Sequence, residues 1–136
     1  MAHLKTGVLL LERSASDDQV RAALTLAYEN RAQLTQRKRL LTAALYHATV
    51  TLDEPAEEGA YREVLTTPPD DPTALNNLGL ILERRGELDE AARMLERAIS
   101  TPNQTRAQYL NLIDVLLEQG LADSAQAVQR MLADRN

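Results

Sequence analysis

Few residues in this sequence are suited to catalysis. It contains two histidines, His3 and His47, and no cysteine. A hydrolase needs a nucleophile with a base beside it, and no serine lies in the glycine-framed turn that exposes a nucleophilic hydroxyl. His47 falls where the surrounding sequence spaces apolar residues for a helix core, which favours a packed or half-buried histidine over a ligand or a base. We therefore predict no catalytic residues and no enzyme activity.

Three adjacent acidic pairs are the next candidates, because two neighbouring carboxylates can act together as acid and base. They occupy positions 53–54, 70–71 and 89–90. Each pair falls at a turn or at the start of a predicted helix, where capping and the helix dipole account for it. The sequence also lacks an HExxH motif, a phosphate-binding glycine loop and a dinucleotide fingerprint. We predict no metal site and no cofactor.

The charge balance argues against nucleic acid and membranes as partners. The formal net charge is −5 at pH 7 and the isoelectric point is near 5.0, so the protein repels phosphate backbones and anionic lipids. The single basic run, residues 37–39, is typical of a solvated helix face that can steer an acidic partner. The apolar run over residues 8–11 is closed by Glu12 and is too short for a signal peptide or a membrane span. We expect a soluble, cytoplasmic protein.

The spacing of apolar residues indicates which elements carry these side chains. Over residues 71–100, Leu75, Leu78 and Leu82 recur at steps of three and four residues, which predicts one face of a helix. Gly86 ends this helix, because glycine adopts the left-handed conformation of a C-terminal cap. A second helix with the same spacing follows it, carried by Leu88, Ala91, Ala92, Leu95, Ala98 and Ile99. The stretch therefore predicts a helical hairpin.

This pattern recurs at a period of 34 residues. Shifted by that length, five framework residues fall on Tyr109, Leu112, Leu116, Gly120 and Ala125. Leu95 is the exception, because it falls on Gln129. The order Leu75-x2-Leu78-Gly79-x2-Leu82, followed by Ala91-x3-Leu95, resembles the helix-turn-helix signature of the tetratricopeptide repeat, with leucines in place of its common aromatic residues.

The resemblance implies an all-α fold, a right-handed α-solenoid of stacked antiparallel helical hairpins with about eight helices. The length of 136 residues is four times the 34-residue period. We therefore expect one domain with units of approximately 1–33, 34–69, 70–103 and 104–136, of which the first two are degenerate. The composition suits a helical protein, because Ala and Leu dominate its 44% of apolar residues and aromatic residues make up only 3%.

The first two units depart most from the repeat pattern. We predict a helix over about residues 2–13, a capping box at Ser16 that begins a second helix, and a third helix over about residues 35–51. Pro55 suits the first turn of the helix that follows. The prolines and aspartates of residues 68–72 then break the helix and separate the second unit from the third. A frayed N-terminal arm followed by a single helix is the alternative for the first unit.

The resemblance also implies a binding groove, because the first helix of each tetratricopeptide unit lines the concave surface. The residues that would face this groove are Leu4, Val8, Lys38, Leu41, Leu45, Asn76, Asn77, Leu80, Glu83, Arg84, Leu110, Asn111, Asp114 and Leu117. Some members hold a chaperone carboxylate with a clamp of lysines, an arginine and asparagines, and this clamp is incomplete here. The leucines instead suit a helix or an apolar peptide of a partner protein. We expect the leucines nearer the N-terminus to do more of this binding.

Three alternatives remain open at this point. Leucines that fill the space between tightly curved units, and face no partner, are the alternative to an apolar groove. A self-assembling scaffold, in which the groove or the bare ends pair with another copy, is the alternative to an adaptor. An RNA-binding helical repeat is a more distant alternative, because the acidic charge opposes it.

Overall fold

The computed structural model describes residues 17–66, 68–102 and 104–135. Over these residues the chain forms seven α-helices, a 3-10 turn at Arg31–Gln33 and a π-helical turn at His47–Thr51, with no strand. The helices are α1 (Asp17–Glu29), α2 (Gln36–Tyr46), α3 (Glu54–Val64), α4 (Pro72–Arg84), α5 (Leu88–Ile99), α6 (Arg106–Glu118) and α7 (Ala122–Asp134). The predicted all-α class is confirmed, whereas the helix predicted over residues 2–13 lies outside the described residues. None of the described helices is long and apolar enough to cross a membrane.

The chain divides into two compact units, the first ending at Val64 and the second beginning at Leu65. The first unit includes α1, α2 and α3, and the second includes the two hairpins α4–α5 and α6–α7. This boundary falls just before the proline-rich seam that the sequence predicts over residues 68–72. The finer division into four repeats stays a prediction.

In the first unit, local sequence signals set the helix boundaries. α1 buries Val20, Leu24 and Ala27 along one face, at steps of four and three residues. The side chain of Thr35 caps α2 by accepting a hydrogen bond from the backbone N–H of Lys38, at 3.4 Å. α2 therefore begins where the sequence predicts.

The end of α2 differs from an ordinary helix terminus. The chain widens into the π-helical turn at His47–Thr51, and Leu52 then takes a left-handed conformation with φ 54°. The Asp53 N–H donates to the His47 carbonyl across this turn, at 2.9 Å. The predicted end of the third helix near residue 51 is confirmed once the π-helical turn is included. Pro55 lies in the first turn of α3, as predicted.

In the second unit, the two hairpins turn in the same way. Gly86 and Gly120 both have φ +78°, a conformation that glycine adopts without steric cost. The N–H groups of Gly86 and Glu87 donate to the carbonyls of Glu83 and Leu82, at 3.0 and 2.9 Å. The same two bonds recur 34 residues later at 3.0 and 2.9 Å, from Gly120 to Leu117 and from Leu121 to Leu116. The repeat period is therefore visible in the backbone as well as in the sequence.

The helices of the first hairpin approach closely at Gly79. A Cβ atom added to Gly79 would lie 2.8 Å from the Leu95 Cγ, closer than carbon atoms pack. The corresponding positions of the second hairpin are Ile113, which is buried, and Gln129, which is exposed. Two changes therefore occur together in the second hairpin: Gln129 replaces the leucine, and Ile113 replaces the glycine. α7 buries Ala125 and Val128 instead.

Candidate functional site

The predicted groove residues of the second unit lie on two neighbouring helices. The Gln108 amide of α6 donates to the Pro72 carbonyl at the start of α4, at 3.5 Å, and Asn111 of α6 donates to Asn76 of α4, at 2.9 Å. Near the C-terminal ends of the same helices, the Glu118 carboxyl lies close enough to Glu83 to raise the pKa of Glu83. Because these pairs are about 35 residues apart at both ends, α4 and α6 run parallel and side by side.

We call the surface along this pair of helices the α4–α6 face. Its residues are Asn76, Leu80 and Glu83 of α4 and Leu110, Asn111, Asp114, Leu117 and Glu118 of α6. Asn77 and Arg84 flank it on α4. The face therefore brings together the predicted groove residues of the second unit and adds one that the sequence interpretation missed, Glu118.

Amide side chains occupy the end of the face near the helix N-termini. The Asn111 Nδ2 donates to the Asn76 Oδ1 at 2.9 Å, and the Asn76 Nδ2 donates to the Asn77 Oδ1 at 3.3 Å. All three side chains are half-buried, so they form an ordered row that links α6 to α4. Such a row offers both donors and acceptors, which is the chemistry that a peptide backbone requires.

Leucines also lie along the face, beside these polar groups. Leu80 of α4 is half-buried, whereas Leu110 and Leu117 of α6 are 40% and 52% exposed. Leu110 and Leu117 lie seven residues apart, which places them on the same side of α6 two turns from each other. Exposed apolar residues grouped in this way commonly mark interaction surfaces.

Carboxyl groups occupy the end of the face near the helix C-termini. Glu83 and Glu118 lie in the last turns of α4 and α6, and Asp114 lies one turn before Glu118. Burial, the hydrogen bond from Glu118 and the negative charges of Glu118 and Asp114 raise the pKa of Glu83 from 4.5 to about 7, against the opposing effect of Arg84. Near neutral pH the Glu83 carboxyl is therefore protonated in only part of the molecules.

The predicted groove residues of the first unit that the structure describes lie on α2. Lys38 is exposed on α2, and Leu41 and Leu45 of the same helix are half-buried. The remaining two predictions, Leu4 and Val8, lie outside the described residues. In the parts of the chain that are described, the leucines of α2 are therefore more covered than Leu110 and Leu117 of α6.

An aromatic cluster in the first unit was not predicted from the sequence. The rings of Tyr28 and Tyr46 stack with their centroids 4.0 Å apart, and His47 meets both rings edge-on at 5.7 and 5.4 Å. The Arg31 guanidinium lies 3.6 Å from the centre of the Tyr28 ring and donates to the Tyr28 carbonyl at 2.8 Å. Both faces of Tyr28 are therefore occupied from within the unit. The cluster packs α1 against α2, and His47 is half-buried as predicted.

Among the described residues, neither a cluster of metal ligands nor an enclosed cavity marks a second candidate site. Over the described residues, no group of three or more His, Cys, Asp or Glu side chains is arranged to hold a metal ion. An open cavity of about 590 Å³ lies among α5, α6 and α7, and none of Glu83, Asp114 and Glu118 lines it. Exposed Leu121 and Met131 border it together with Arg93 and Glu96. Its mixed lining gives it no clear ligand chemistry.

Comparison with known proteins gives one family match and a similar solved structure. The family model described as tetratricopeptide repeat matches residues 58–105, which include α4 and α5. The solved structures that this chain resembles include the crystal structure of MamA protein, with a TM-score of 0.68 and 18% sequence identity. That likeness covers 97% of this chain and 70% of the MamA chain, and it supports the helical-repeat solenoid fold. The curated proteins give no match.

Proposed function

We propose that this chain, which matches the tetratricopeptide-repeat model over residues 58–105, is a protein-interaction module that binds a segment of a partner protein on its α4–α6 face. The observation that carries the proposal is the exposure of Leu110 and Leu117, 40% and 52%, on a helix whose other large apolar residues are buried. Covering two leucines of this exposure stabilises a complex by about 1 kcal/mol each, at about 25 cal/mol per Å² of apolar surface.

The polar residues at the two ends of the face support the same proposal. A bound segment needs donors and acceptors for its backbone, and the asparagine row provides both beside the leucines. The α4–α6 face therefore combines apolar contact area with directional hydrogen bonding, as peptide-binding surfaces do.

Selection from a displayed peptide library against the immobilised full chain tests this function. We expect the selected peptides to lose at least tenfold in affinity for the Leu110→Asp/Leu117→Asp double variant, because a carboxylate cannot replace the apolar contact without a loss of about 1.4 kcal/mol or more. Met131→Asp is the matched control, since Met131 is 48% exposed on a different surface of the same unit. Circular dichroism would verify that both variants remain helical. Peptides that tolerate the double variant and lose binding to Met131→Asp would contradict the proposal.

Self-association is the second candidate, and a different surface favours it. Leu121 and Met131 are 44% and 48% exposed beside the cavity among α5, α6 and α7. Light scattering after size-exclusion chromatography tests this candidate: a monomer at tens of micromolar excludes it, whereas an oligomer that dissociates in Met131→Asp supports it.

A further inference from the structure

The electrostatics of the α4–α6 face define what its partner must carry. Glu83 and Glu118 both lie in the last turn of a helix, where the unpaired carbonyls already give the helix end a partial negative charge. Acidic residues are favourable at the opposite end, so both glutamates occupy positions that cost stability. α6 also has no basic residue in its last turn to offset them.

The arrangement of the two helices adds to this negative potential. Because α4 and α6 run parallel, their C-terminal ends lie together, and Asp114 contributes a third carboxyl group that repels Glu83. Arg84 is the nearby cation that acts on Glu83, so the four side chains carry a formal net charge of −2 when all are ionised. A positively charged group placed against them would relieve this repulsion.

The leucines place this charge within a docking surface. Asp114 lies between Leu110 and Leu117 on the same side of α6, four residues from the first and three from the second. A segment that covers both leucines therefore passes the carboxyl groups as well. A neutral or acidic segment would cover these carboxyl groups without bringing an opposite charge, which is costly.

We propose that the occupant of the α4–α6 face is a basic, apolar segment of a partner protein, which places a lysine or arginine against Glu83, Asp114 and Glu118 while its apolar residues cover Leu110 and Leu117. This inference rests on the proposed function and specifies its partner class. The negative net charge of the whole chain, −5, assists the approach of such a segment from a distance.

The test uses the full chain and matched probes. Peptides selected on the chain are resynthesised with a fluorescent label in three forms that share their apolar residues and carry lysine, glutamine or glutamate at the charged positions. Two triple variants are compared, Glu83→Gln/Asp114→Asn/Glu118→Gln on the face and Glu29→Gln/Glu96→Gln/Asp134→Asn at exposed positions elsewhere. Both variants change the formal net charge from −5 to −2. The control therefore accounts for the long-range effect of net charge.

We expect the lysine form to bind most tightly and to lose about tenfold in affinity with the face variant, which corresponds to about 1.4 kcal/mol from several half-exposed ion pairs. The control variant should cost less than about twofold, since it removes only the long-range attraction. High salt should bring the wild type close to the face variant, because screening weakens the same contacts.

The contrary outcomes separate the two proposals. Equal binding of the three peptide forms, or a preference for glutamate, would overturn the basic-partner inference while Leu110→Asp/Leu117→Asp still abolished binding. Concentration-dependent self-association of the wild type that the face variant removes would assign the face to a second copy and overturn it as well. Failure to select any peptide sensitive to the two leucine substitutions would overturn the proposed function itself.

Discussion

The hairpins α4–α5 and α6–α7 differ in which helix carries a large buried side chain at two equivalent positions. In the first, Gly79 leaves room for the Leu95 side chain, and Leu95 is fully buried. In the second, the buried Ile113 stands in place of the glycine, and Gln129 stands exposed in place of the leucine. At each pair of positions one large apolar side chain is buried, Leu95 of α5 in the first hairpin and Ile113 of α6 in the second. The helix that carries the buried side chain therefore changes from one hairpin to the other.

Exchanging the residues at positions 95 and 129 tests the comparison most strongly. We expect Leu95→Gln to destabilise the chain by about 4 kcal/mol, because it leaves a cavity and buries an amide without partners. Gln129→Leu should change the stability by no more than about 0.5 kcal/mol, because position 129 is exposed. Urea denaturation followed by circular dichroism measures both. Similar costs for the two substitutions would show that the hairpins do not differ as described.

The glycine of the first hairpin gives the next largest effect. Gly79→Val should cost about 2 to 3 kcal/mol, because its Cβ would overlap the Leu95 Cγ. Combining it with Leu95→Ala should cost less than the sum of the two single changes by about 1 kcal/mol, since the smaller side chain vacates the required space. A double-mutant cycle in urea measures this coupling. Strict additivity would mean that the two residues do not compete for the same volume.

Much of the difference between the hairpins was not predictable from the sequence. The three- and four-residue spacing of Leu75, Leu78 and Leu82 predicted α4 because helix periodicity is local, and these leucines are buried. Gln129 was recognised as an exception, but its link to Ile113 depends on which side chains meet between two helices. That choice is made by tertiary packing, which periodicity does not encode.

The candidate site illustrates the same limit. The repeat register placed Asn76, Glu83, Leu110 and Asp114 on first helices, and the structure brings them together on the α4–α6 face. The register did not identify Glu118, because its importance arises only from the parallel contact with Glu83. A search at a period of 35 would have paired the two glutamates, as it pairs Asn76 with Asn111. The sequence favoured the N-terminal leucines as binding residues. Among the predicted groove leucines that are described, however, Leu110 and Leu117 are more exposed than Leu41 and Leu45, and our proposal follows this exposure.

The turns are where the two hairpins agree, so matched substitutions there should have matched effects. Gly86→Ala and Gly120→Ala should each cost about 1 kcal/mol, because alanine resists φ +78° and an added Cβ meets no neighbour within 4 Å at either position. Thermal or urea unfolding of the two variants measures this. If the two stability costs differed by more than about 0.5 kcal/mol, the two turns would not contribute equally to stability.

The pH dependence of stability tests the contact between the two hairpins at the C-terminal ends of α4 and α6. Because the pKa of Glu83 is raised from 4.5 to about 7 in the folded chain, the folded state binds the extra proton over this range and the unfolded state does not. Stability therefore falls as pH rises from about 4.5 to 7, with the sign set by the greater proton binding of the folded state. Because Glu83 is partly exposed and screened by solvent, we expect the loss to be about 1 kcal/mol.

Glu83→Gln removes the titration while keeping the shape of the side chain. The variant should match the wild type near pH 4.5 and exceed its stability by about 1 kcal/mol at pH 8, as measured by urea denaturation at each pH. Glu96→Gln, an exposed change on α5, should leave the pH dependence unaltered. If Glu83→Gln and the wild type lost stability in parallel between pH 5 and 8, the carboxyl groups of α4 and α6 would not repel each other in the folded protein. The electrostatic reason for a basic partner would then be lost, even if the leucines still bound a peptide.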